Sequence, residues 1–222
     1  MGAGGRRFES CHLDSRLESL FYRGFFVSLD MIKNNHYAEF LPNSHGKPRN
    51  DIQIRLAIPT DANDIGKIEV NVYGEYPDPY EQVIKKISKA IQKQESNESL
   101  GKTWVALKNE KIIGFSKVGF RNAIVNDFPD LIKGWYLTGI TIHPNSRRIG
   151  VARLLVQTRM DWLKDKTDEV YYWSSKNNRA SEELHRKFGF REIKSSIYTP
   201  MGYSNKRWDK TGFSKLFKAK IN

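Results

Sequence analysis

One short stretch constrains this chain more than any other: Arg147-Arg148-Ile149-Gly150-Val151-Ala152, set between a strand-like run and a helical one. Residues 134–142 have the aromatic and β-branched content of a strand, and residues 143–149 read as a turn. Helical periodicity then runs over residues 150–164, strand character over 169–174, and helical character again over 178–188. A glycine-bearing turn that opens a helix leaves its first backbone N–H groups without partners, beside the positive end of the helix dipole. Such a place is a ready site for a phosphate.

Around that centre, 222 residues suffice for one well-buried core and are short for two, so a single domain is expected. No apolar run reaches the length of a membrane span. The one cysteine, Cys11, excludes an internal disulfide and a zinc cluster, and the composition suits a cytoplasmic protein without metal. The net charge of +12 raises nucleic acid as a partner. Its basic residues are spread along the chain, with a local excess at Lys206, Arg207, Lys210, Lys215, Lys218 and Lys220, and no basic helix or nucleic-acid motif accompanies them. A solvated basic surface that favours an anionic ligand accounts for the charge better.

Residues 1–30 are rich in Gly and Arg and then apolar without periodicity, and their broken apolar run is no signal peptide. They are read as a non-native upstream extension ahead of Met31, or else as a disordered arm. Residues 31–50 form a polar lead-in, and the domain proper spans 51–222. It opens with a strand over residues 52–58, with Ile52, Ile54, Leu56 and Ile58 on one face, and Thr60 as the N-cap of a first helix bearing Ile65, Ile68 and Val72. A Tyr- and Pro-rich loop precedes a second helix, whose stripe is Val83, Ile84, Ile87 and Ile91. Residues 103–107 and 111–120 form a hairpin, and the long irregular loop 121–133 suits a site rim. Strands over 191–198 and 216–220 close the chain.

The junction at 147–152 resembles a signature of the GCN5-related N-acetyltransferase (GNAT) family, Arg or Gln, two residues, Gly, one residue, Gly or Ala, with Arg147, Gly150 and Ala152 in its fixed places. A second stretch, Asn178-Arg179-Ala180-Ser181 continuing to His185 and Gly189-Phe190, is similar to the family's other signature. The resemblance covers about residue 52 to the end. It implies an α/β fold, the GNAT acyl-CoA N-acyltransferase fold, with a mixed central sheet flanked by helices and splayed central strands. Acetyl-CoA is the implied co-substrate.

The resemblance assigns the pyrophosphate to the backbone amides of Arg148, Ile149, Gly150, Val151 and Ala152, with Arg147 leading into the turn. Gly150 lets the backbone approach the oxygens. Backbone groups of the strand at Ile140, Thr141 and Ile142 would meet the pantetheine arm as an added strand does. Asn178 would hydrogen-bond the same arm, with Ser181 beside it, while the alternative role of Asn178 is to cap the last helix. Ser181, Leu184, His185 and Phe188 share a helical face. His185 stands where the family often has a tyrosine acid, and either protonates the departing sulfur or packs beside the cofactor. For the base that takes the amine proton, Glu69, Glu75, Asp78, Asp127 and Asp130 are candidates, with Glu75 preferred beside a water relay. Tyr76, Trp135 and Tyr136 are candidates for an acceptor pocket suited to a ring or sugar.

The residues and the resemblance together point to direct acetyl transfer from acetyl-CoA to a primary amine. The first acceptor class is a small molecule, aminoglycoside-like; the second is a protein N-terminus or lysine, as in ribosomal-protein acetyltransferases. A non-catalytic CoA- or RNA-binding module is the rival of another class. The oligomeric state, monomer or homodimer, is left open by the sequence.

Overall fold

A computed structural model describes residues 38–42, 49–73, 79–94, 100–121, 130–175, 177–197 and 214–221. The expectations for residues 1–30 therefore lie outside the described residues. Among the described residues seven strands and four α-helices follow one another in the expected order: β1 (Ile52–Leu56), α1 (Ala62–Tyr73), α2 (Tyr80–Lys93), β2 (Gly101–Lys108), β3 (Lys111–Arg121), β4 (Gly134–Ile142), α3 (Val151–Leu163), β5 (Glu169–Ser175), α4 (Arg179–Arg186), β6 (Arg191–Ile197) and β7 (Ser214–Lys220). They form one sheet in the order β1-β2-β3-β4-β5-β7-β6. Neighbours pair antiparallel except β4 and β5, which run parallel. This is the mixed sheet with flanking helices that the resemblance implies.

Each face of the sheet carries its own core. On one side Ile65, Ile68 and Val72 of α1 and Val83, Ile87 and Ile91 of α2 pack on Val105 and Phe115, so both helical stripes fall where their spacing puts them. On the other side Val151, Leu155, Val156, Met160 and Leu163 of α3 pack on Trp104, Val118, Leu137 and Val170. The β2–β3 hairpin turns through Asn109 and Glu110, both at positive φ, which gives a two-residue connection the twist that antiparallel strands need.

The start of the domain corrects two expectations. The first strand ends at Leu56 and lies at the sheet's edge, so Leu56 and Ile58 are 43% and 47% exposed instead of facing the core. Thr60 does not cap α1; Asp61 does the local bonding. Its carboxylate accepts from the Ile58 N–H at 2.8 Å and from the Arg55 guanidinium at 2.6 and 2.8 Å. Burial opposes the charge on Asp61, yet these donors outweigh it and hold the carboxyl below its ordinary range.

Two irregularities position the site. Ser116 pairs with Ile140 and Lys117 with Thr138, so Gly139 is an extra residue in β4, a bulge, with φ of 57°. Beyond it the parallel pair opens: β4 and β5 are in register at Trp135 with Val170 and at Tyr136 with Tyr171, and at no later position among the described residues. The two strands part toward Ile142 and Ser175, which is the predicted splay.

A Cβ at Gly139 would meet no atom within 4 Å, so the position is limited by backbone conformation alone. Gly139→Ala is expected to cost about 1 kcal/mol, the ordinary penalty of a left-handed L-residue, in a denaturant titration. A cost several times larger would show that packing also restricts the bulge.

Candidate functional site

Where β4 and β5 diverge, a cleft of about 290 Å³ opens. Ile140, Thr141 and Ile142 of β4 form one wall, the turn from Ser146 to Arg153 forms the end, and Asn178, Ala180, Ser181, Leu184 and Lys187 of α4 form the other wall. The motif halves far apart in sequence therefore meet across one opening. Of the predicted cofactor residues, Ile140, Thr141, Ile142, Arg147, Arg148, Gly150, Val151, Ala152, Asn178 and Ser181 all line it. Ile149 does not; its side chain is half-buried against the α3 core.

The turn is shaped by sequence-local geometry. Pro144–Ser146 makes one 3-10 turn. Arg148 and Gly150 then take left-handed backbone, at φ 65° and 88°. For Arg148 this is an uncommon conformation that costs of order 1 kcal/mol. The first helical bond of α3 is Leu154 N–H to Gly150 O, at 3.1 Å, so the N–H groups of Val151, Ala152 and Arg153 precede the helical ladder at its positive end. The Arg147, Arg148 and Arg153 side chains stand around them. This end of the cleft is a fit for an anion of phosphate type.

On α4, Asn178 is the cap that the alternative reading gave it: its Oδ1 accepts from the Ser181 N–H at 3.2 Å. Asn178 also lines the cleft, and its cap bond uses the amide oxygen, not the N–H2 group.

His185 is not in the cleft wall. It is 2% exposed and stacks on Tyr172, ring centroids 3.9 Å apart. Its Nδ1 lies 2.9 Å from Ser181 O, an atom that only accepts, so Nδ1 carries the proton. Burial, with the nearby charge of Arg159 adding to it, pushes the imidazole pKa down to about 3, against the weaker opposing pull of the Ser181 carbonyl. A neutral ring stacked in the core is the packing role left open by the sequence, and a poor proton donor at neutral pH.

The expected acceptor pocket loses two residues. Tyr136 is fully buried; its hydroxyl donates to Ile132 O at 2.7 Å and accepts from Ile132 N–H at 2.9 Å. Trp135 sits edge-on against Trp162 and Phe120, at 5.3 and 5.2 Å, on the core side of the sheet. Alternation along a strand sends neighbours to opposite faces, and here both faces are covered. Glu75, Tyr76, Asp78 and Asp127 lie outside the described residues. Asp130 pairs with Lys194 Nζ at 2.6 Å. Glu69 is fully buried, 3.9 Å from Lys117 Nζ.

The structure also adds residues that the sequence reading did not place at the site. Arg153, Lys187 and Val72 line the cleft, as do residues 38–42 of the polar lead-in. Glu39 of that segment reaches Arg148 at 3.5 Å, and Phe40 lies 5.8 Å from the Arg179 guanidinium. A helical wheel could have flagged Arg153 and Lys187, but only the fold brings the lead-in back over the turn. Of the C-terminal basic residues, Lys215 pairs with Glu182 and Glu192, and Lys218 with Glu169. They are held by acids of neighbouring strands and α4. Among the described residues no helix is long and apolar enough to cross a membrane.

A sheet opened between parallel strands, closed at one end by a basic, amide-rich helix start, defines a cleft for an extended ligand with an anionic end. The model of the Acetyltransferase (GNAT) family matches residues 69–190, more than half of the chain. The chain belongs to that family. An N-alpha-acetyltransferase of Sulfurisphaera tokodaii is 31% identical over 78 residues, which are 34% of this chain and 46% of that protein; the chain thus spans about half the length of the curated relatives it matches. A GNAT-family acetyltransferase of Streptococcus pneumoniae superposes with a TM-score of 0.58 at 18% identity, over 77% of this chain and 99% of the other. A PaiA N-acetyltransferase of Thermoplasma acidophilum, solved in complex with coenzyme A, gives 0.53 at 16% identity, over 76% and 98%.

The His185 environment yields a pH signature of stability. The unfolded chain takes up a proton on this imidazole below about pH 6.5, while the native state stays neutral until about pH 3. Native stability is therefore fully present above pH 6.5 and falls as pH drops toward 3, with a slope of up to about 1.4 kcal/mol per pH unit from this residue. Replacing it by the apolar ring in His185→Phe should flatten that part of the urea-midpoint profile between pH 6.5 and 4.5. An unchanged slope would place the acid sensitivity in other groups.

Proposed function

We propose that the protein transfers an acetyl group from acetyl-CoA directly to a primary amine, and that the amine is the α-amine of a polypeptide. The observation that carries the first half is the opening of β4 from β5 beside the unpaired amides of Val151, Ala152 and Arg153. In this reading those amides and Arg147, Arg148 and Arg153 hold the pyrophosphate. The stretch Ile140, Thr141 and Ile142, which is not paired with β5, pairs with the pantetheine arm, and Asn178 and Ser181 flank it. The acetyl thioester would then lie between the diverging strands, where water is largely excluded and its orientation is fixed.

Transfer forms a C–N bond as the thioester C–S bond breaks, and the attacking amine gives up one proton. Glu75 is proposed as the group that takes it. Val72 at the end of α1 lines the cleft, and Glu75 and Tyr76 follow it by three and four residues. His185 is assigned no proton transfer, because a buried neutral imidazole with Nδ1–H already donated has none to give at neutral pH. The sulfur departs as a thiolate, which is a tolerable leaving group without an acid.

For the acceptor, two observations move the weight from a small ring-bearing molecule to a peptide. Of the rings that would have lined a small pocket, Tyr136 is fully buried and Trp135 is partly buried against the α3 core. Curated relatives, matched over 34% of this chain, are N-alpha-acetyltransferases.

Thiol release from acetyl-CoA, measured with short peptides bearing free α-amines beside a panel of small amines, tests both halves. Turnover with peptides is expected, and Gly150→Glu should lower kcat/KM by about 100-fold or more, a loss of roughly 3 kcal/mol from a left-handed position given both a side chain and a negative charge. Turnover on small amines alone would overturn the peptide assignment, and no thiol release with any amine would overturn acetyl transfer. Glu75→Gln should reduce kcat by about 100-fold, within the usual range for general base catalysis, with activity recovering as pH rises. Unchanged kcat would remove Glu75 from the mechanism.

A further inference from the structure

The mechanism above does not use the most deeply buried cation of the described chain. Arg159, in the third turn of α3, is fully buried. No carboxylate pairs with it among the described residues; burial pushes its pKa down to about 9, which still leaves it charged at neutral pH. Its bonds go to backbone carbonyls. Nε donates to Leu155 O in its own helix at 3.1 Å, and Nη1 donates to Lys117 O at 3.0 Å and Gly139 O at 3.5 Å.

Those last two carbonyls belong to the two strands at the bulge. Lys117 is the β3 residue at which the register shifts, and Gly139 is the unopposed extra residue of β4. Both carbonyls lie where the pairing changes register, and a buried carbonyl is stabilised by a donor aimed at it. The two N–H groups of Nη1 meet both carbonyls while Nε is tied to Leu155 O, so the planar guanidinium is held in one orientation by its own helix, as a freely rotating ammonium is not. Keeping an uncompensated charge in the core is itself costly, and the bulge carbonyls are what it meets there.

We infer that Arg159 is a positioning residue for acyl-CoA binding: it clamps the Gly139 bulge from beneath, and so fixes the direction in which Ile140, Thr141 and Ile142 leave β5. The residue touches no ligand; it acts through the backbone of β4. The inference rests on reading the splay as the acyl-CoA slot, and its test therefore has one arm that needs no ligand. In that arm, amide hydrogen exchange is compared between the wild-type chain, Arg159→Met and Arg159→Lys. Arg159→Met fills the volume without donors, and Arg159→Lys keeps the charge and loses the fork.

Exchange at residues 138–141 is expected to quicken at least tenfold in Arg159→Met and by less in Arg159→Lys, while α1, α2 and the β2–β3 hairpin keep their protection. In the second arm, the Kd for coenzyme A by calorimetry should rise about tenfold in Arg159→Met, with Arg159→Lys between the two. The inference is overturned if exchange at residues 138–141 is unchanged in both variants, or if it quickens only in step with the whole sheet and with the melting temperature. Should Arg159→Met fail to fold, Arg159→Lys alone decides on the same local-against-global comparison. If the wild-type chain binds no coenzyme A, the proposed function fails, and the exchange arm still decides whether Arg159 holds the bulge.

Discussion

Everything at the site depends on one interruption of sheet pairing. A parallel pair of strands would ordinarily stay in register along its length, since each unpaired buried backbone group is costly. Here β4 and β5 keep only the Trp135–Val170 and Tyr136–Tyr171 positions. What offsets the loss is local: an extra glycine bends β4 away, and a buried guanidinium meets the carbonyls left at the bend. The opening exposes a strand edge at Ile140 to Ile142, a surface that pairs with any extended chain or arm laid along it.

The second element follows from where that opening lies. β4 ends at Ile142 and α3 starts at Val151, so the turn from Ser146 to Gly150 crosses the mouth of the cleft. Its left-handed residues set α3 with its free amides toward the opening. The α4 wall is fixed from behind by the His185 ring, which stacks on Tyr172 of β5 and is itself oriented by the Nδ1 bond to Ser181 O one turn back in α4. Charge around the mouth is mixed: Arg147, Arg148, Arg153 and Lys187 stand with Glu39 and Glu183. The basic excess of the composition is thus partly gathered at the cleft, while Lys215 and Lys218 are held in ion pairs with Glu182 of α4 and Glu169 of β5.

Much of the architecture is legible in the residues. The stripes of α1 and α2 on Ile65, Ile68, Val72, Val83, Ile87 and Ile91 face the core as their spacing requires, and the strand from Gly134 to Ile142 has the bounds its composition suggests. The errors have physical causes. Ile52 to Ile58 alternates like a half-buried strand, but its place at the sheet's edge leaves Leu56 and Ile58 with nothing to cover them. Trp135 and Tyr136 look like pocket residues because aromatic rings serve pockets and cores equally well, and neighbouring core residues on the two faces decided the matter.

By itself the sequence determined the order of elements, the glycine turn that opens a helix, and the pair of motifs at Arg147 and Asn178, because these rest on periodicity and on backbone conformations only certain residues allow. The tertiary structure alone decided that the two motifs face one another across a gap, that His185 turns inward as a neutral ring, and that Arg159 sits beneath the Gly139 bulge. Those outcomes depend on which strands become neighbours and on how far burial shifts a charge, and neither quantity is written in the local run of residues.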